Sequence, residues 1–158
     1  MKNIIIIEAY FKMKELCIFL VILSVLGCSS TEPINYEEKL NEIGGVFYTK
    51  DTNKPYSGRV FSLYDNQKKK NQGTLKKGKL DGLYTFWYEN GEKKGELVFK
   101  DGKEHGLNTL WYDNGKKAEE GTYIDGKRYG LRTYWYENGE KKKEMNYNKD
   151  GKPRWNSY

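Results

Sequence analysis

The chain has 158 residues, 37% of them apolar, and a net charge of +6; that length holds one domain, and the apolar fraction excludes a large globular core. Aromatics run against this trend, with 14 Tyr, 6 Phe and 4 Trp, while 17 Gly against 3 Pro point to many tight turns in an extended, β-rich body.

Residues 1–27 read as a signal peptide. Leu16–Gly27 ("LCIFLVILSVLG") is an uncharged, mostly apolar run behind Lys12 and Lys14. A spanning helix needs about 20 such residues, so this shorter run fits the helical hydrophobic region of a secretory signal. Glu8 and Lys12 interrupt the apolar character of the opening residues, and a start at Met13 gives the more regular signal. The run ends in "VLGCSS" (Val25–Ser30), which resembles the bacterial lipobox. Val25 and Gly27 fit that pattern, whereas Leu26 is bulkier than usual at its position. The resemblance implies cleavage before Cys28, acylation of Cys28 and attachment to a membrane, with several acyl chains anchoring far more firmly than one. It places the mature chain in the bacterial cell envelope, at the outer membrane or cell surface if the bacterium is Gram-negative. With Cys17 discarded and Cys28 lipidated, no thiol remains in residues 29–158, so packing and β-pairing must hold the exported body without disulfides.

Residues 28–44 read as the lipidated cysteine followed by an acidic, flexible tether, in which four Glu face one Lys. Fully extended, such a tether reaches about 50 Å. A basic body follows over residues 45–158.

From residue 58 the chain repeats with a period of 24. Gly58, Gly82, Gly106 and Gly130 keep this step, as do Tyr64, Tyr88, Tyr112 and Tyr136, and Asn66, Asn90, Asn114 and Asn138. Trp87, Trp111 and Trp135 follow it, with Leu63 in their place in the first copy. The units run over about 58–81, 82–105, 106–129 and 130–154. Each holds two turn signals, Asn-Gly and then Asp-Gly or Lys-Gly, the pairs that supply a two-residue type I′ hairpin turn. The last "KDGK", at 149–152, arrives one residue late, which predicts a bulge. Gln67 replaces the turn glycine of the first unit, which predicts a looser turn. Between turns lie short segments rich in aromatic and β-branched residues. The fold class is therefore all-β: a single-layer antiparallel meander of about 9–10 strands built from double-hairpin repeats. "GVFYTKDTNKPYSG" (Gly45–Gly58) should supply its starting strand and a proline-containing loop.

A two-residue Asn90-Gly91 loop pairs Glu89 with Glu92, Tyr88 with Lys93 and Trp87 with Lys94. Alternation then puts Tyr84, Phe86 and Tyr88 on one face with Leu97 and Phe99, and Leu83, Thr85 and Trp87 on the other with Glu96 and Val98. Because 24 is even, every repeat preserves these faces. One is a tyrosine-rich carpet with Tyr84, Phe86, Tyr88, Tyr112, Tyr134 and Tyr136; the other carries Trp87, Trp111 and Trp135 in a row, about 9–10 Å apart. Neither is plainly polar, and a single sheet cannot bury both without curling, dimerising or binding something.

The phrase "DGLYTFWYENGEKKGELVFKDGKEHGLNTLWYDNGKKAEEGTYIDGKRYGLRTYWYENG" (Asp81–Gly139) resembles the variant MORN repeats of bacterial envelope proteins, and "KPYSGRVFSLYDN" (Lys54–Asn66) resembles the leader of such arrays. The resemblance covers roughly residues 44–155. It implies a single-layer antiparallel sheet acting as a binding or scaffold module. Some relatives are labelled as antitoxins, so an inhibitor that occludes a toxin is the alternative, and a structural spacer a weaker one.

Repeats multiply every polar group, whereas catalysis needs a constellation that occurs once. His105, the only histidine, flanks a turn at the position filled by Asp81 and Tyr129 in other units. No nucleophile–base set or phosphate-cradling glycine loop occurs, so no enzymatic activity and no cofactor are expected. "NYNKDG" (Asn146–Gly151) imitates the opening of a calcium loop, but Ser157 stands where that loop needs an acid, so no metal is expected. Lysines around the turns alternate with glutamates, the mixture that keeps sheet edges soluble, so nucleic acid is not an expected partner. The expected partners are the membrane, through acylated Cys28, and an unidentified protein or envelope glycan. The candidate contact surface is the row of Trp87, Trp111 and Trp135, or else the tyrosine face.

Overall fold

The computed structural model describes residues 32–154; the expected signal helix, both candidate start sites and Cys28 lie outside them. In chain order the elements are β1 (Ile34–Asn35), a one-turn helix α1 (Tyr36–Lys39), β2 (Leu40–Ile43), β3 (Val46–Thr49), β4 (Gly58–Leu63), β5 (Lys69–Lys76), β6 (Lys79–Leu80) and β7 (Gly82–Trp87). There follow β8 (Lys93–Lys100), β9 (Lys103–Glu104), β10 (Gly106–Trp111), β11 (Lys117–Ile124), β12 (Lys127–Trp135), β13 (Lys141–Tyr147) and β14 (Pro153–Arg154). Ten of these form one hydrogen-bonded path, β1-β4-β5-β7-β8-β10-β11-β12-β13-β14, with β6 and β9 attached to β5 and β8. All pairs in that path are antiparallel except β1 with β4. This is the open all-β meander that the period predicts.

The two turn types differ more than their shared glycines suggest. At the Lys-Gly and Asp-Gly turns both central residues have positive φ, as at Asp101 (50°) and Gly102 (82°), and Lys100 pairs with Lys103. These are two-residue type I′ loops, as expected. At the Asn-Gly turn only Gly91 is left-handed (φ 99°), Gly91 N–H donates to the Tyr88 carbonyl at 2.9 Å, and Tyr88 N–H donates to the Glu92 carbonyl at 2.8 Å. This is a three-residue loop with a glycine bulge, so the pairs expected beside a two-residue loop do not form. Trp87 lies opposite Lys93, Lys94 bulges out, and Phe86 opposite Gly95 restores the expected register. The Asn90 side chain explains the difference: its Oδ1 accepts the Glu92 N–H at 2.9 Å, which holds Asn90 itself in right-handed backbone. The late turn of the last repeat adopts this three-residue form around Gly151, so the extra residue becomes a bulge as predicted.

The first unit corrects the expectation of a loose turn. Gln67 sits at φ 65° and donates its N–H to the Tyr64 carbonyl at 2.9 Å, matching Gly91 bond for bond. The turn keeps its shape and stores backbone strain instead. Gln67→Gly should therefore raise stability by about 0.5–1 kcal/mol in thermal denaturation; a lowered midpoint would show that Gln67 carries no such strain.

The acidic segment ahead of the repeats is folded from residue 34 onward, which corrects the expected flexible tether up to residue 44. Ile34 pairs in parallel with Val60, α1 is capped by the Asn35 side chain accepting the Glu37 N–H at 3.2 Å, and Glu37 pairs with Lys70 at 3.1 Å. Leu40 is buried with Val60 and Leu75, and Ile34, Tyr36, Phe47, Tyr56 and Leu80 pack around them. An average over composition hides three well-spaced apolar anchors among the glutamates. Each buried aliphatic side chain contributes about 1.5–3 kcal/mol, enough to order a short segment. β3 is likewise not the first strand of the main sheet: it pairs with β2 as a separate hairpin. Its Phe47 N–H donates to the Gly78 carbonyl at 2.8 Å, which clamps this hairpin onto the first Lys-Gly turn.

Candidate binding surface

Cross-strand partners share a face, so the observed register assigns both faces directly. Tyr84 opposes Leu97, Gly82 opposes Phe99, Leu83 opposes Val98 and Thr85 opposes Glu96, as the alternation predicts.

The tyrosine face is the packed one. Leu40, Val60 and Leu75 form their cluster there. Further along, the rings of Tyr84 and Phe86 lie over glycines on the neighbouring strand. A Cβ on Gly73 would stand 2.8 Å from the Tyr84 ring, and one on Gly95 would stand 2.3 Å from the Phe86 ring. Burial first, and the Tyr36 phenol second, push the Tyr84 hydroxyl above the ordinary tyrosine range. The turn tyrosines join one repeat to the next: Tyr64, Tyr88 and Tyr112 donate their hydroxyls to the carbonyls of Trp87, Trp111 and Trp135 at 2.7, 2.9 and 2.7 Å. Tyr134 is half-buried, and Tyr136, in the last copy, is 49% exposed.

The opposite face is open. Trp87, Trp111 and Trp135 stand half-buried near its Asn-Gly end. Because Lys94 bulges out, Lys93 turns onto this face, and so do its counterparts. Lys69, Lys93 and Lys117 place their ammoniums 5.6, 5.3 and 5.8 Å from the centroids of Trp87, Trp111 and Trp135. Lys93 also pairs with Glu96 at 2.6 Å, Lys117 with Glu120 at 2.5 Å and Lys141 with Glu144 at 2.7 Å. The row is thus a ladder in which Lys69, Lys93 and Lys117 cap the indoles and are held in turn by Gln72, Glu96 and Glu120. Toward the Asp-Gly end the same face carries Leu83, Leu107 and Leu131, 53%, 54% and 56% exposed. A hollow of about 570 Å³ opens at its N-terminal side between Phe61, Leu63, Leu83 and the polar Arg59, Lys69 and Gln72. The leucine row was not singled out from sequence, although a leucine directly after Gly82, Gly106 and Gly130 is its signal.

Residues 80–101, 104–125 and 128–149 each match the family described as MORN repeat variant. Residues 80–149 carry three variant MORN repeats. The degenerate copy at 58–81, with Leu63 and Gln67, lies almost wholly outside the matched residues. No curated protein and no solved structure matches the chain.

One position of the MORN repeats holds three unlike residues, Tyr84, Asn108 and Arg132. Asn108 is 5% exposed; its Oδ1 accepts the Val98 N–H at 3.0 Å and its Nδ2 donates to Glu104 at 2.9 Å. Arg132 is 3% exposed, lies over the Tyr123 ring at 4.6 Å and pairs through Nη1 with Glu119. Its Nε and Nη2 have no hydrogen-bond partner among the described residues. Beside it Arg128 donates to the Tyr147 hydroxyl at 3.3 Å. Sequence reading passed over this cluster, whose signal is a charged residue at a position that is uncharged in the two preceding repeats. His105 places Nδ1 3.1 Å from an Asp125 carboxylate oxygen and 3.4 Å from the Asp125 nitrogen, so it braces the next turn of the array. Asn148, inside the calcium-like phrase, accepts the N–H groups of Asp150 and Lys152 at 2.9 and 3.0 Å, which makes it a turn residue.

Proposed function

We propose that this protein is a non-enzymatic module, lipid-anchored through Cys28 in the bacterial envelope, that binds a protein or an envelope polymer on its open sheet face. The MORN-repeat sheet is consistent with a binding or scaffold role. One observation carries the choice of face. Three leucines, each more than half exposed, stand in line across the repeats on the side that holds neither the Leu40 cluster nor the tyrosine hydroxyl bonds. Strands two apart put these leucines about 10 Å from each other, so a partner lying across the strands meets them in turn. An apolar row with no role in the core is an association surface on physical grounds. The tryptophans contribute to it mainly through their edges, since lysines cap their rings and limit face-on stacking by a sugar.

The test is a photo-crosslinking residue placed singly at Leu107, Leu131 and, on the opposite face, Tyr123, in cells making the full chain. Discrete higher-mass adducts are expected from the two leucine positions, and they should disappear when Leu83→Glu is added. Because the leucine side chains are exposed, stability should stay within about 0.5 kcal/mol of wild type in their variants. Adducts from Tyr123 alone, or none at all, would refute the assignment of the face.

A further inference from the structure

The internal repeats are joined by a fixed set of contacts, and the last repeat holds the donor half of that set with its acceptors missing among the described residues. Three tyrosine hydroxyls find the tryptophan carbonyl of the next unit, but Tyr136, their fourth counterpart, is 49% exposed. Asn90 and Asn114 donate through Nδ2 to the carbonyls of Asp113 and Glu137 in the following repeat, at 3.3 and 3.0 Å. Asn138 turns back onto its own loop instead, donating to Glu140 at 2.9 Å. Lys69, Lys93 and Lys117 each cap a tryptophan of the next unit, whereas Lys141 has only Glu144, with both side chains well exposed. On its outer edge, among the described residues, β13 pairs with β14 only at Asn146 and Tyr147. At the other end of the sheet β1 pairs with the middle of β4, at Val60 and Phe61, and Leu63 replaces the tryptophan.

The geometry points to the β13 edge as a docking site for one extended strand of a partner protein, acidic and carrying an aromatic residue. A strand added there supplies the carbonyl that Tyr136 lacks and the ring that Lys141 lacks, while the backbone of Lys141–Met145 supplies ladder bonds. Charge selects the partner. Lys141, Lys142 and Lys143 stand together against Glu140 and Glu144, so the edge attracts acidic side chains. A second copy pairing edge to edge would set lysine against lysine, and one joining head to tail meets a β4 edge whose middle is already paired with β1.

The test uses the full chain in detergent and, as probe, a labelled, end-blocked peptide with the sequence of Gly106–Asn114, which fills the equivalent place after β8 inside the array. Fluorescence anisotropy should give saturable binding, weakened roughly tenfold by Tyr136→Phe combined with Lys141→Glu. Both side chains are exposed, so the variant should keep its circular dichroism spectrum and thermal midpoint. A scrambled peptide should not bind. Absence of saturable binding, or equal binding by the double variant, overturns the proposal. Binding that appears only after deletion of residues 155–158 assigns the edge to the chain's own tail, and a dimer dissolved by Lys141→Glu assigns it to a second copy; either overturns it as well.

Discussion

Glu119→Gln should destabilise the C-terminal half of the sheet by about 3 kcal/mol, whereas Arg132→Met should be near neutral or stabilising. The asymmetry follows from burial. Arg132 is 3% exposed, and its guanidinium lies flat over Gly121, where a Cβ would come within 2.8 Å of Nε. Glu119 is its one carboxylate partner, and Nε and Nη2 already lack hydrogen-bond acceptors among the described residues. Removing the carboxylate leaves a desolvated cation held only by the Tyr123 ring. Removing the cation lets an unbranched apolar side chain fill the same slot, and Glu119, whose side chain is 22% exposed, can turn to water. Each repeat touches only its neighbours, so the loss should appear as early melting of β11–β13. Hydrogen exchange along the chain would locate it, and urea unfolding would give its size. A neutral Glu119→Gln would mean that Arg132 is solvated in a way its burial does not suggest. The double variant should recover most of the lost stability, because it removes the stranded charge.

The period of 24 made the meander, the body register and both faces legible, because an even repeat carries each side chain to the same side every time. What the period could not convey was set by single side chains. The Asn90 amide converts an expected two-residue loop into a three-residue one, and the bulge at Lys94 then turns Lys93 toward Trp111. Strict alternation would have put Lys93 on the other face, so the lysine–tryptophan ladder was invisible. Ile34, Tyr36 and Leu40 were diluted by glutamates in a segment that reads as tether, yet they complete the only cluster of fully buried aliphatics among the described residues. Arg132 and Glu119 break the repeat, and a reading built on what recurs passes over what does not. The leucine row stays hidden for the opposite reason: it recurs faithfully, but a larger tryptophan stands four residues further along each of the same strands.

Cys28→Ser should abolish incorporation of a palmitate analogue completely, with the wild-type chain labelled and its mature N-terminus, read by mass, at Cys28. The consequence for the sheet is sharper than sequence alone suggested. If Cys28 is acylated as proposed, the six residues from it to Ile34, where the first described strand starts, can span at most about 20 Å, against the roughly 50 Å a free tether to residue 44 would reach. The sheet is then held close to the membrane, where its basic character adds a weak, salt-screened attraction to anionic headgroups. A partner for the leucine row or the β13 edge would have to lie within that layer. Lengthening the chain between Cys28 and Glu32 by a flexible insert should leave labelling intact and shift which envelope components crosslink to Leu107. If the wild-type chain stays unlabelled and soluble with its first residues retained, the anchored reading fails. The occlusion of a soluble toxin by the same open face then becomes the reading to pursue.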